Sequence, residues 1–106
     1  IGLNEVQIGM TMHHVGIELA RARLTPSAFN RSVINAEMFD PADAVDAGFL
    51  DKVVPAEELE ATALAMAKQL AGLNMTAHRN TKLKTRKAFL ELLDSSIEAD
   101  KQHSLS

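Results

Sequence analysis

Three groups of residues could do chemistry. Glu5 is a carboxylate at the end of a predicted strand, in Asn4-Glu5-Val6-Gln7-Ile8-Gly9. A carboxylate drawn out of water titrates nearer neutrality and can hold a water or move a proton; a solvated surface acid is the plainer alternative. His13 and His14 are adjacent, so on a helix they point about a quarter-turn apart and cannot ligate one metal in the H-x-x-x-H manner. No metal site is expected, and a place at a helix start or in a pocket wall suits them better. Arg79, Lys82, Lys84, Arg86 and Lys87 put five cations in nine residues. Arg79, Lys82 and Arg86 share a helical face, which is either solvated or able to hold phosphates through charge-assisted bonds. Nucleic acid is not the expected partner, because no aromatic residues interleave these cations and the net charge is −3.

The elements that must position these residues follow from the pattern of apolar side chains. Val6, Ile8, Met10 and Met12 share one parity, which predicts a strand near Glu5–Met10. From His13 to Arg23 the spacing turns helical, with Val15, Leu19 and Ala22 on one stripe and Glu18 placed to pair with Arg21. Thr25-Pro26 and Asp40-Pro41 each put a capping oxygen before a proline, which opens a helix at no cost in lost N–H bonds. The first of these helices should bury Phe29, Val33 and Ala36, with Ile34 alongside. The second should last about two turns and stop at Gly48, where a left-handed residue is needed. Phe49, Leu50, Val53 and Val54 then predict a strand or extended segment that ends at Pro55. Leu59, Ala63, Met66, Ala67, Leu70 and Leu73 form the stripe of an amphipathic helix. Asn74 should cap a last helix running from about Thr76 to about Lys101.

Composition sets the outer bounds. A chain of 106 residues with 46% apolar and 24% charged residues is ordinary globular material, and it can bury roughly 65% of its unfolded surface. Four Phe and no Trp or Tyr make the core aliphatic, with the five Met as filler. Without cysteine there can be no disulfide, thiolate nucleophile or Cys-based zinc site, and a reducing, cytoplasmic setting is expected. No apolar run approaches the ~20 residues of a membrane span, so a soluble protein is expected. A single short strand cannot make a sheet, since its backbone groups would face the core unpaired. Its neighbours must come from elsewhere.

The segment Asn35–Pro55 resembles the crotonase superfamily, the enoyl-CoA hydratases and isomerases. Ala44, Gly48, Phe49, Leu50, Val53, Val54 and Pro55 keep that family's pattern, whereas Asn35, Ala36 and Pro41 replace its threonine, glycine and first alanine. Glu5 and Gly9 match the family's P-E-x-x-x-G element, with Asn4 in place of the proline. The resemblance implies an α-rich α+β fragment of the crotonase (ClpP/crotonase-like ββα spiral) fold. It assigns residues 1–54 to the C-terminal edge of the core and 55–106 to a helical capping and trimerisation region.

The activity implied is hydration or isomerisation of an acyl-CoA thioester in fatty acid metabolism through a stabilised enolate, with Glu5 catalytic. No cofactor is implied beyond the coenzyme A of the substrate. Lys82, in Ala-His-Arg-Asn-Thr-Lys, matches a lysine near the coenzyme A pocket. Where the family has a glycine-rich entrance after Gly9, this chain has Met10-Thr11-Met12-His13-His14-Val15-Gly16. Met10, Met12 and His13 are therefore expected to reshape the acyl pocket, and another superfamily reaction (isomerase, dehalogenase or decarboxylase) stays open. The family's oxyanion hole and first glutamate belong to an N-terminal half, the expected partner of this chain, which alone should be inactive. The complete protein is expected to be a homotrimer or hexamer, without nucleic acid or membrane. The rival reading is a non-catalytic helical interaction or oligomerisation domain.

Overall fold

The computed structural model describes residues 1–105. The described residues form five α-helices: α1 (His14–Arg23), α2 (Pro26–Phe29), α3 (Pro41–Ala47), α4 (Leu59–Ala71) and α5 (Met75–Leu105). A π-helical turn, Asn30–Ile34, continues α2, and a 3-10 turn, Ala56–Glu58, precedes α4. The chain divides into two compact units, one formed by Ile1–Val53 with the chain from Phe89 onward, the other by Val54–Ala88.

The strand expected near Glu5–Met10 is not formed, and the described residues contain no strand. Residues 5–9 are a turn, in which the Met10 N–H donates to the Glu5 carbonyl at 2.8 Å and the Gly9 N–H to Val6 at 3.2 Å. Alternation marks side-chain parity only, and a strand also needs a neighbouring backbone to bond. Here the backbone bonds to itself, helped by Gly9 at a φ of +84°. Residues 52–55 are in no helix, turn or ladder. Phe49 and Leu50 are half-buried against the core, whereas Val53 is 49% exposed.

Helix boundaries follow the local capping chemistry. The Thr25 hydroxyl accepts the Ala28 N–H, the Asp40 carboxylate accepts the Asp43 N–H at 2.8 Å, and the Asn74 side chain accepts the Ala77 N–H at 2.9 Å. Gly48 ends α3 at a φ of +106°. A Cβ there would stand 2.5 Å from the Arg23 carbonyl oxygen, so glycine is required twice over. In the turn after α2 the Asn35 N–H reaches the Asn30 carbonyl at 3.3 Å. The extra residue per turn brings Ser32 and Val33 inward and leaves Ile34 57% exposed, so Ile34 is not on the buried stripe.

The core of the first unit gathers Met12, Ala20, Leu24, Ala28, Val33, Phe39, Ala44 and Ala47. Phe39 and Phe49 meet as a tilted pair with centroids 5.7 Å apart. The second unit is different in kind. No residue of α4 is buried, and its expected inner stripe is largely open, with Met66 49% and Leu70 42% exposed.

Candidate functional site

α1 is the element that builds the site. Its Gly16, Leu19 and Ala20, with Leu24 just beyond its last turn, join Leu3, Met12 and Phe49 around a cavity of about 360 Å³. Three polar side chains also line it: Glu5, His13 and Arg23. Arg23 is committed elsewhere, its Nε donating to the Gly48 carbonyl at 2.5 Å and its Nη2 pairing with Asp51 at 2.6 Å. Glu5 is half-buried and, among the described residues, has no side-chain partner. An apolar cavity with one uncommitted carboxylate can take an acyl chain and offer it a base.

His13 and Gly16 shape the wall beside that carboxylate. A Cβ on Gly16 would lie 2.7 Å from Cε1 and 3.0 Å from Nε2 of His13, and 2.9 Å from the Met12 methyl. The imidazole and the thioether tip therefore rest on the bare face of the glycine. His13 is the N-cap of α1, in extended conformation, but its side chain makes no capping bond. The first-turn amides are held instead by Asp100 of α5, whose Oδ1 accepts the His14 N–H at 2.7 Å and whose Oδ2 accepts the Val15 N–H at 2.9 Å. The bond from Val15 comes first among the causes that hold the Asp100 carboxyl below its ordinary range; the bond from His14 and the nearby His14 and His13 side chains add to it.

Sequence reasoning did not single out Asp100. The indirect signal was the absence of Ser, Thr, Asp or Asn at the cap of α1, which left its first amides in need of a remote acceptor. Of the residues it did single out, Glu5, Met12 and His13 line one cavity. Met10 is 56% exposed and is not part of that lining. Lys82 belongs to the other unit. There it borders an open groove of about 680 Å³ with Asn74, His78, Thr81, Thr85 and Arg86, over a floor of Leu70, Leu73 and Ala77. His78, Lys82 and Arg86 recur every four residues, so they form one side of α5; Arg79 is not in the lining.

A third hollow, of about 240 Å³, is bounded by Thr25, Ser27, Arg31, Asp43 and Asp46. Its guanidinium is held by both oxygens of Glu37, at 2.5 and 2.7 Å, and stacks over Phe39 with 5.0 Å to the ring centroid. Among the described residues no cluster of acids and histidines could hold a metal ion, and no helix is long and apolar enough to cross a membrane.

A family model described as enoyl-CoA hydratase/isomerase matches residues 1–105. Human mitochondrial enoyl-CoA delta isomerase 1 is 32% identical over 106 residues, which is all of this chain and 35% of that protein. The crystal structure of an enoyl-CoA hydratase/isomerase family protein from Pseudomonas syringae superposes with a TM-score of 0.95 at 71% identity, covering 97% of this chain and 45% of that one. An enoyl-CoA hydratase from Mycobacterium marinum gives a TM-score of 0.88 at 36% identity, covering 93% and 44%. The chain thus spans less than half the length of the relatives it matches.

Proposed function

The chain belongs to the enoyl-CoA hydratase/isomerase family, and from that premise we propose that it supplies the Glu5-bearing C-terminal part of an enzyme that hydrates or isomerises enoyl-CoA thioesters through an enolate. The observation that carries the reading is the uncommitted Glu5 carboxylate on a largely apolar cavity whose other two polar side chains are His13 and the already paired Arg23. In hydration, Glu5 would hold the water that adds at the β carbon, or take and return its proton. In isomerisation it would move a proton between the α and γ carbons. Both steps need a carboxylate shielded from bulk water and within reach of the acyl chain.

Met12 and His13 would contact the acyl chain, since both line the cavity with Glu5; Met10, outside that lining, is given no contact. Coenzyme A enters as part of the substrate, with no separate cofactor; taken by itself, the groove of the other unit, with Lys82, His78 and Arg86, carries the positive charge that a phosphate of coenzyme A requires. The names of the relatives divide between hydratase and isomerase, so both reactions belong in the assay. Cytoplasmic placement is part of the same reading and is supported by a chain free of cysteine; the human relative is by name mitochondrial.

The test is Glu5→Gln in a polypeptide of the relatives' full length. Activity is followed by hydration of a 2-enoyl-CoA and by conversion of a 3-enoyl-CoA to its 2-enoyl isomer. Loss of the proton-transfer group should lower kcat by about 10²–10⁴ in the reaction the enzyme performs, with the assembly unchanged. Full activity of the variant would sink the reading. The 106-residue chain alone should turn over neither substrate.

A second reading has its own observation. No residue of α4 is buried, and its apolar side chains are open, as a contact face requires. A helical oligomerisation role for residues 55–106, within a trimer or hexamer of the complete protein, is compatible with catalysis at Glu5. As the chain's only role, it would be favoured by an inert Glu5→Gln exchange.

A further inference from the structure

We infer that Asp100 is a positioning residue for the cavity: by holding the first turn of α1 from outside, it leaves the His13 imidazole free to lie across Gly16 as a wall beside Glu5. The inference rests on the proposed acyl-CoA chemistry, and it adds a residue of the last helix to the control of substrate fit.

The first amides of any helix need acceptors, usually from the N-cap side chain. At α1 that residue is His13, which makes no such bond. Asp100 uses both carboxylate oxygens instead, one on the His14 amide and one on the Val15 amide. Two charge-assisted bonds at the positive end of a helix fix both its position and its rotation. Relieved of capping, the imidazole occupies the space that a side chain on Gly16 would fill, and Met12 shares that face. Both side chains line the cavity that Glu5 borders.

Without Asp100 the His14 and Val15 amides lose their acceptor. The residue at the N-cap position, able to replace it through an unprotonated ring nitrogen, is His13 itself. The ring would then leave the wall to cap the helix. Glu5 is untouched by that change, so the loss should fall on substrate fit rather than on proton transfer.

The experiment is a double-mutant cycle on the full-length enzyme, with Asp100→Ala, His13→Ala and the pair compared through KM and kcat for an enoyl-CoA substrate. Asp100→Ala should raise KM about five- to tenfold and change kcat less than about twofold. In the His13→Ala background the same exchange should shift KM less than about twofold, because the ring it acts through is gone. Equal KM shifts in both backgrounds, or a fall in kcat without a KM change, would overturn the inference. If Asp100→Ala does not fold, Asp100→Asn enters the same cycle, since its single amide oxygen can hold only one of the two N–H groups. A neutral Asp100→Ala beside an inactive Glu5→Gln removes this inference alone, whereas an active Glu5→Gln removes the functional reading and the positioning role with it.

Discussion

At the residue scale, two carboxylates tie the first unit together and should make it sensitive to acid. Glu37 is held below its ordinary range first by its hydrogen bond to Arg31 and then by the charge of that guanidinium. Asp100 is held down by backbone N–H bonds. A carboxyl whose pKa falls on folding adds stability that is complete above its unfolded value, about 4. That contribution is lost as pH drops through the lower, folded value. The urea midpoint should therefore fall as pH drops below about 4, and Glu37→Gln and Asp100→Asn should each flatten that dependence. A wild-type curve left unchanged by both exchanges would show that other groups govern the acid response.

The caps at Thr25, Asp40 and Asn74 were legible in the sequence because donor and acceptor sit three residues apart. The bond from His14 to Asp100 spans 86 residues, and no local pattern encodes it. Ala36 lies between these cases. It stands where the resembled family has glycine and still takes a φ of +54°. The surrounding backbone, not the residue type, imposes that turn.

At the element scale, α1 gives Gly16, Leu19, Ala20 and Arg23 to the candidate site, and Gly16 is where its two duties conflict. A glycine inside a helix costs about 0.5–1 kcal/mol relative to alanine, so Gly16→Ala should leave the fold as stable or raise it by about that amount. The added methyl would meet the tips of His13 and Met12 rather than backbone, and both can swing away. We expect an unchanged or higher Tm with a raised KM for the acyl substrate. A lower Tm with unchanged kinetics would show that Gly16 serves packing rather than the cavity. Gly48 makes the opposite prediction. A methyl there meets the Arg23 carbonyl on a backbone at positive φ, so Gly48→Ala should cost on the order of 1–3 kcal/mol in denaturant unfolding.

Helices were legible because their periodicity and caps are local. The supposed strand at Glu5–Met10 failed because its parity needed a partner backbone, and the turn that replaces it still brings Glu5 to the cavity. Nothing in the sequence announced the π-turn at Asn30–Ile34, so Ser32 was missed as an inward residue, and Ile34, placed alongside the buried stripe, is 57% exposed.

At the scale of the whole molecule, the two units differ in what stabilises them. The first has a buried core with an aromatic pair, bridged ions and a cap supplied from α5. In the second, α4 has 13 residues, none of them buried. A helix of that length is marginal in water on its own, since most helical stability in proteins comes from packing an apolar face. The stripe that the sequence predicted is present, but within this chain it stays uncovered: Leu59 is 63% exposed, Met66 49% and Leu70 42%. The chain spans 45% of its Pseudomonas syringae relative, so the cover must be sought in a protein of full length and in its assembly.

We therefore expect α4 amides to exchange hydrogen at least tenfold more slowly in the full-length protein than in the 106-residue chain. Met66→Lys with Leu70→Lys places two charges one helical turn apart on that face. Together they should lower the native mass of the full-length assembly while leaving the far-ultraviolet circular dichroism of the isolated chain unchanged. If assembly and amide protection both survive the two lysines, the apolar face of α4 is not a contact surface. Glu5 would then have to be completed by contacts made elsewhere on the chain.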